Sequence, residues 1–556
     1  MALGRPVFRL GAPALTSLAL LGCAGVTGAK GMIHKGPVNG GTVTMALDSN
    51  IATLDPADWT DIPSMYAMDE IYSTLVTYAE NSTTIVPDLA TWTVANGGRT
   101  YIFHLNPKAR FSNGVPVTAA DVKFSLDRVT SYNASGQGPA PYGSSYSNIV
   151  GYNRWFNNGS APKPGVEGLA GIQVLNPQTV VIHLHTPAGS FLNTMALMSA
   201  VIVDPAVVKR WGPKDYEYHA VGSGSFKVQS WTPGREMVLV PNPYYFGPKP
   251  YVSKVVIEEN VSPQLQLLRF EKGQLSFDIN IDSGTYLTIR SNPKLAKLFH
   301  KAPYNEIVFL KMNLSHKPMQ NKLVRQALNY AVNKQLLVKV VLNGLGQPAS
   351  QVLPPKVPGY NTSLKPYPYN PGLARELLKK AGYPNGLKLN YYYLSANPDV
   401  VRMALILEQT MAAAGFHLQL HAVSQIGTYF PFIINPKNNW DLAFSDWPQD
   451  YPNAQDFLYN LYERLLTLNP NARQWVDTPK FSRLINQADA LPTSKSAEAD
   501  RLYAEADAIG QQNAYWVNLY YPDQEALVQS WMAPNLNLYM HPVKGPQFQY
   551  MWIHRP

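Results

Sequence analysis

Tyr101-Ile102-Phe103-His104-Leu105-Asn106-Pro107-Lys108-Ala109-Arg110-Phe111-Ser112-Asn113-Gly114-Val115-Pro116-Val117-Thr118-Ala119-Ala120-Asp121-Val122-Lys123-Phe124-Ser125-Leu126 carries three local signals in succession. Tyr101 to Leu105 is rich in aromatic and branched residues and predicts a strand. Ser112-Asn113-Gly114 predicts a turn, because Gly supplies a positive φ and Asn tolerates one. Thr118 to Asp121 predicts a helix start, with Thr118 as cap and a carboxylate three residues on. Val122, Leu126 and Val129 then mark the buried face of that helix.

Working outward, the same alternation of strand, turn and helix recurs. Thr42 to Leu47 predicts a strand, Leu54-Asp55-Pro56 a turn and the residues after it a helix. Further strands are predicted at Val180 to His185 and Val255 to Glu259. In the second half, Asn370-Pro371 opens a helix carrying Leu373, Leu377, Leu378 and Ala381, and Gly382 closes it before Pro384. A strand at Lys388 to Leu394, a helix from about Asp399 to Ala414 and a strand at Phe416 to Val423 form a β-α-β unit. Its two strands should be parallel, with a right-handed crossover. The chain is mixed α/β throughout, and no short repeat points to a solenoid or propeller.

The N-terminus has a different character. Arg5 and Arg9 precede an uncharged, largely apolar run from Leu10 to Gly22, too short for a membrane span and laid out as a secretion signal. Leu20-Leu21-Gly22-Cys23 resembles the bacterial lipobox, in which cleavage precedes a cysteine that then carries acyl chains. Cys23 is the only cysteine of 556 residues, so it has no disulfide partner and no companion thiolates for a metal. Residues 24–41 read as a Gly-rich tether. No later run is long and apolar enough to predict a membrane helix, and 46% hydrophobic residues are ample for a large core. The formal net charge of +9 is scattered, without a dense Lys/Arg run, which argues against nucleic acid as a partner.

Motifs of catalysis are absent: there is no H-E-x-x-H, phosphate loop, C-x-x-C or G-x-S-x-G elbow. Gly222-Ser223-Gly224-Ser225-Phe226 lacks the lysine of a phosphate cradle and reads as a tight turn. His183 with His185, and His417 with His421, have strand spacing and supply at most half a metal site each. The sequons at Asn81, Asn133, Asn158, Asn313 and Asn361 read as accidental beside a lipobox. Trp440-Asp441-Leu442-Ala443-Phe444-Ser445-Asp446-Trp447-Pro448-Gln449-Asp450-Tyr451-Pro452 is more informative. A carboxylate flanked by aromatic rings can hold an ammonium group by a charge-assisted bond and cation–π attraction. A solvated acidic turn with Trp447 in the core fits the same residues.

A family resemblance bears on that choice. The stretch Tyr101 to Leu126 resembles the signature of the extracytoplasmic solute-binding proteins of ABC importers, family 5, the dipeptide/oligopeptide/nickel-binding type. Supporting pieces stand in the family's order: Gly40-Gly41-Thr42, Leu54-Asp55-Pro56, Val86 to Trp92, Gly222 to Phe226, Asn242-Pro243-Tyr244-Tyr245 and Val324 to Ala331. The resemblance implies an α/β, periplasmic-binding-protein-like two-lobed fold with an additional subdomain, of class II type in the three-domain cluster. It implies a signal peptide at 1–22, a tether at 23–41, a first lobe at 42–303 with an inserted subdomain at about 75–172, a second lobe at 304–523 and a return to the first at 524–556. The crossings would be Tyr304 to Asn313 and Ala514 to Asp523.

In peptide-binding members an aspartate after a W-x-x-D turn takes the peptide's α-amino group. Trp447-Pro448-Gln449-Asp450 matches that turn, and Tyr451 fits beside it. Asp55-Pro56 followed by Ile62-Pro63 resembles the segment whose backbone lies along the peptide like an added strand. Asp450, Trp447, Ile62 and Tyr451 are thus the expected ligand residues. Two departures stand out: Phe444 replaces an arginine and Asp446 a glycine, an extra carboxylate and a missing cation. The implied protein is a monomeric binding lipoprotein rather than an enzyme, without cofactor, held outside the cytoplasm by acylated Cys23. Its implied partners are a peptide or other small solute and the transmembrane subunits of an ABC permease. An oligosaccharide or nickel chelate on the same frame, a secreted hydrolase and an adhesive surface protein are the alternatives.

Overall fold

The computed structural model describes residues 37–554 apart from Asn81, 132–139, 157–164, 460 and 462–478. The segment read as a secretion signal and Cys23 lie outside the described residues. Among the described residues no helix is long and apolar enough to cross a membrane.

Three larger sheets organise the described residues, beside a two-stranded pair of Val76–Tyr78 and Ile85–Pro87. The first has four strands in the order Thr42–Ala46, Lys254–Glu258, Glu236–Pro241 and Phe226–Thr232, with only the first pair parallel. The second is an antiparallel sheet in the order Ala90–Ala95, Thr100–Leu105, Thr179–His183 and Ile172–Asn176. The predicted helix after it spans Ala119–Val129, and the Thr118 backbone N–H and hydroxyl both donate to the Asp121 carboxylate, at 2.8 and 2.9 Å. Val122, Leu126 and Val129 are buried, as their spacing predicts. Gly222 and Gly224 lie so close to the Glu70 and Ile71 carbonyls that a Cβ at either would collide with them, which accounts for glycine at both places.

The third sheet runs Phe277–Asp278, Val517–Val528, Glu306–Met312, Leu442–Pro448, Leu387–Leu394 and Phe416–Val423, and Phe299–Pro303 and Gly346–Pro348 also pair with the second of these. Leu387–Leu394 and Phe416–Val423 are parallel in full register, with the helix Pro398–Ala412 between them. Asn370 caps the helix Pro371–Lys380 by accepting the Leu373 N–H at 2.9 Å, and Gly382 follows at φ +95°. The two sides of this sheet bury separate clusters, one around Leu310, Tyr391 and Met403 and another around Phe309, Phe457 and Trp516.

Val517–Val528 is one continuous strand. Its first half pairs with Glu306–Met312, and its second half with Phe299–Pro303 and Phe277–Asp278, whose buried neighbours include residues of the first sheet. Beside it, Phe299–Pro303 leads through Tyr304 directly into Glu306–Met312, and the Tyr304 N–H donates to the Pro522 carbonyl at 3.1 Å. Two adjacent extended segments therefore join the halves of the chain. Elsewhere the halves touch through polar contacts, such as the Ser283 hydroxyl donating to Asp399 at 2.6 Å.

Candidate functional site

A cleft of about 750 Å³ opens between the halves, within the size range of small-ligand sites. One wall comes from the segment Trp59 to Tyr66 with Tyr142, and the other from Glu306 to Lys311, the helix Ile426–Ile434 and Ser445 to Asp450. The strand Leu442–Pro448 pairs antiparallel with Glu306–Met312, setting Glu306 opposite Pro448 and Lys311 opposite Ala443. Asp450 lies just beyond the end of that strand, in the turn before the short helix Ala454–Leu458.

Asp450 is held from two sides. Its backbone N–H donates to the Asp456 carboxylate at 2.7 Å, and its own Oδ1 accepts the Tyr142 hydroxyl at 3.0 Å from the opposite wall. Tyr142 in turn stacks on Trp59 with ring centroids 4.5 Å apart. Asp456 is fully buried, and burial followed by the Asp450 charge pushes its carboxyl well above the usual range. Asp450 therefore stands on a partner biased toward neutrality.

Other carboxyls share the cleft, and burial biases several of them toward the neutral form. Burial, then the charge of Asp446, raises Glu306, and Asp446 itself is raised by burial. Glu525 is pushed up to about 8 by burial and by Asp523. Asp61 caps the helix Ile62–Ile71 through one oxygen, accepting the Ser64 N–H at 2.8 Å, while its other oxygen is buried without a hydrogen-bond partner. Asp523 is paired with Lys301 at 2.6 Å, and Lys544, on the opposite wall, with Asp69 at 2.8 Å. Lys311 also lines the cleft, its ammonium 5.7 Å from the centre of the Trp440 ring.

Of the expected ligand residues, Asp450, Trp447 and Ile62 line this one cleft. Tyr451 does not: it is buried behind the turn, its hydroxyl donating to Gln455 at 2.7 Å. Ile62 reaches the cleft from a different conformation than the resemblance implies. It is the first residue of a helix, because Asp61 caps and Pro63 fits the first turn, where no N–H is needed. Asp55 faces away, locked to Arg128 by paired bonds, one of 2.6 Å. Phe444 lies opposite Leu310, so that Lys311 is the next residue along the neighbouring strand. His183 bonds Thr100 at 3.2 Å, and His421 bonds Asn390 at 3.0 Å while stacking on Tyr392. Asn313 is buried, its amide donating to the Trp440 carbonyl at 3.0 Å, so that sequon presents no acceptor.

Sequence reasoning missed Glu306, Lys311, Asp456, Trp59 and Tyr142. Glu306 and Lys311 had a signal, being the two charges in the otherwise apolar run Glu306 to Met312. Asp456 had one too, as an acid three residues after the cap Asn453. Tyr142 had none, because its partner is 308 positions away.

The model of the bacterial extracellular solute-binding proteins, family 5, matches residues 84–464. The chain belongs to that family. The glutathione-binding protein GsiB of Escherichia coli K12 is 27% identical over 490 residues, 86% of this chain and 88% of that protein. Among solved structures, DppA of Helicobacter pylori in complex with the peptide STSA has 25% identity and a TM-score of 0.77, covering 93% of this chain and 99% of that one. The murein tripeptide binding protein MppA of Escherichia coli has 21% identity and a TM-score of 0.75, covering 92% and 98%, and supports the fold. This family 5 protein is thus a solute-binding protein of mixed α/β, two-lobed architecture, and the relatives reported are binding proteins rather than enzymes.

Proposed function

We propose that the protein captures short peptides outside the cytoplasm and delivers them to the permease of an ABC importer, tethered to the membrane by acylated Cys23. The observation that carries this reading is Asp450, set at one end of the cleft by Asp456 and Tyr142, with Trp447 beside it in the chain and acid in excess around it. A peptide's α-ammonium is a compact cation that such a site can hold by charge-assisted bonds. Relatives named for glutathione, a peptide and murein tripeptide support the same ligand class.

Closure would swing residues 304–523 against 42–303 and 524–556 about the two adjacent strands, with about 75–172 riding on the first lobe. A ligand drives such closure only by binding the closed state more tightly. The test is mass spectrometry of solute co-purified with the protein, joined to melts against peptides, glutathione, oligosaccharides and nickel chelates. A ligand at 100 times its dissociation constant adds about 2.7 kcal/mol. Stabilisation by peptides with a free amine is expected; stabilisation by sugars or chelates alone would overturn the reading.

A further inference from the structure

The positive charge of the chain is one-sided. Residues 317–388 hold eleven Lys and Arg against one acid, Glu376, whereas the formal net charge of the whole chain is +9, so the rest is close to balance. Two of the eleven are buried: Arg325 donates to the Met319 carbonyl at 2.9 Å, and Lys334 to the Ala349 carbonyl at 3.1 Å. The other nine are exposed, and none has an ion-pair partner among the described residues. Four of these nine meet at one end of the second lobe. The Arg375 guanidinium, on the helix Pro371–Lys380, donates to the Ala413 carbonyl, and its stem lies beside Gly415. The Gly415 carbonyl accepts the Leu387 N–H at 2.8 Å, at the start of the strand in which Lys388 stands opposite His417. Lys379 and Lys380 form the last turn of the helix that carries Arg375. Tyr369, 38% exposed, lies just before that helix, and its hydroxyl donates to the Thr410 carbonyl at 3.4 Å. Glu376 and Glu408 are the exposed acids on the two helices here.

This end lies away from the cleft. Leu387–Leu394 runs parallel to Leu442–Pro448, which leads to Asp450, and Phe416–Val423 leads to the cleft helix Ile426–Ile434. The strand starts that carry Lys388 and His417 are therefore a strand length, about 20–25 Å, from the solute site. Their cations take no part in holding the solute. Like charges gathered on one surface repel one another unless an anionic partner meets them. We infer that this end of the second lobe rests on anionic phospholipid, with Arg375, Lys379, Lys380 and Lys388 against the headgroups and Tyr369 at their level. Two observations favour a bilayer over an acidic protein. The residues around Cys23 resemble a lipobox, which brings the chain to a membrane, and the basic end lies opposite the cleft, so docking there leaves the solute path open. Each basic residue near an anionic surface strengthens binding about five-fold, so four supply on the order of 10³. That holds a lobe already brought near by acyl chains, as the second of two anchoring signals, but does not by itself keep the protein on membranes in dilute culture.

The experiment is co-sedimentation with vesicles, either of phosphatidylcholine alone or of equal parts phosphatidylcholine and phosphatidylglycerol. It uses the chain from residue 24 on, which lacks the apolar N-terminal run and Cys23 and keeps every described residue. About half of the protein should sediment at roughly 1 mM accessible lipid of the anionic vesicles. None should sediment with phosphatidylcholine alone, and high salt should release what is bound. Arg375→Gln, Lys379→Gln, Lys380→Gln and Lys388→Gln together should weaken partition at least about 30-fold. The same exchange at Lys108, Arg235, Lys249 and Lys254, four exposed cations of the first lobe, should weaken it less than about three-fold. Equal partition of the unsubstituted chain onto both vesicle types, or onto neither, overturns the inference and needs no variant. An equal loss in the two quadruple variants also overturns it, because net charge alone then accounts for binding. Failure to bind any peptide would overturn the reading of the cleft and leave this inference standing.

Discussion

Replacing Lys311 by Met should stabilise the ligand-free protein at neutral pH. Burial takes this ammonium from 10.5 to about 8. At about 1.4 kcal/mol per pH unit, the charged form then costs the empty fold about 3 kcal/mol, and water in the open cleft reduces that to about 2. Below pH 8 the lysine is protonated in both folded and unfolded chains, so the whole cost is present. Between pH 8 and 10.5 the unfolded chain holds a proton that the folded chain has shed, so stability rises with pH and the cost disappears. Met keeps the length and apolar stem without the charge. Urea unfolding followed by tryptophan fluorescence, at pH 7 and pH 10.5, should show Lys311→Met more stable than the parent by about 2 kcal/mol at the lower pH and nearly equal at the higher. A variant equally or less stable than the parent at pH 7 would refute the claim that Lys311 is unpaired in the empty cleft.

Other outcomes follow from single contacts. Arg128→Met should cost about 3–5 kcal/mol, because it strands the Asp55 carboxylate, 1% exposed, without its ion-pair partner; adding Asp55→Asn should recover most of that loss in the same urea assay. Gly224→Val should destabilise by several kcal/mol, since its side chain would meet the Glu70 and Ile71 backbone, and circular dichroism melts read the effect. Cys23→Ser should move the protein from the membrane fraction into the medium or periplasm; a variant still bound to membranes would contradict acylation there.

Much of the fold was legible because its signals are local. Alternating apolar residues in Thr100–Leu105, the Thr118 and Asp121 pair at the start of Ala119–Val129, and Asn370-Pro371 with Gly382 each fix an element within a few residues. The family resemblance set Ile62 in an extended segment, whereas Asp61 before Ile62-Pro63 makes a capped helix start, in line with the helix predicted after Leu54-Asp55-Pro56. The cleft was less legible because its walls are non-local. Asp450 and Trp447 share a turn and could be read together, whereas Tyr142 reaches Asp450 across 308 positions. Tyr451 follows Asp450 directly, but successive residues point in different directions, and its ring faces the core. Lys311 lies in a segment whose apolar pattern was read for its path between lobes, and its charge acquires meaning only with Ala443 opposite and no acid in reach.

Crossed calorimetry at Asp450 tests the central claim most directly. Parent and Asp450→Ala are each titrated with one tetrapeptide and with its N-acetylated form, at a pH where the free amine is charged. Asp450→Ala should weaken the free-amine peptide by roughly 2–5 kcal/mol, the usual effect of truncating one member of a buried charge pair. Acetylation should weaken the parent similarly, and the two changes together should cost little more than either alone. If both losses add in full, or if Asp450→Ala binds the free-amine peptide as tightly as the parent does, the amine is not held by Asp450 and the peptide account of this cleft fails.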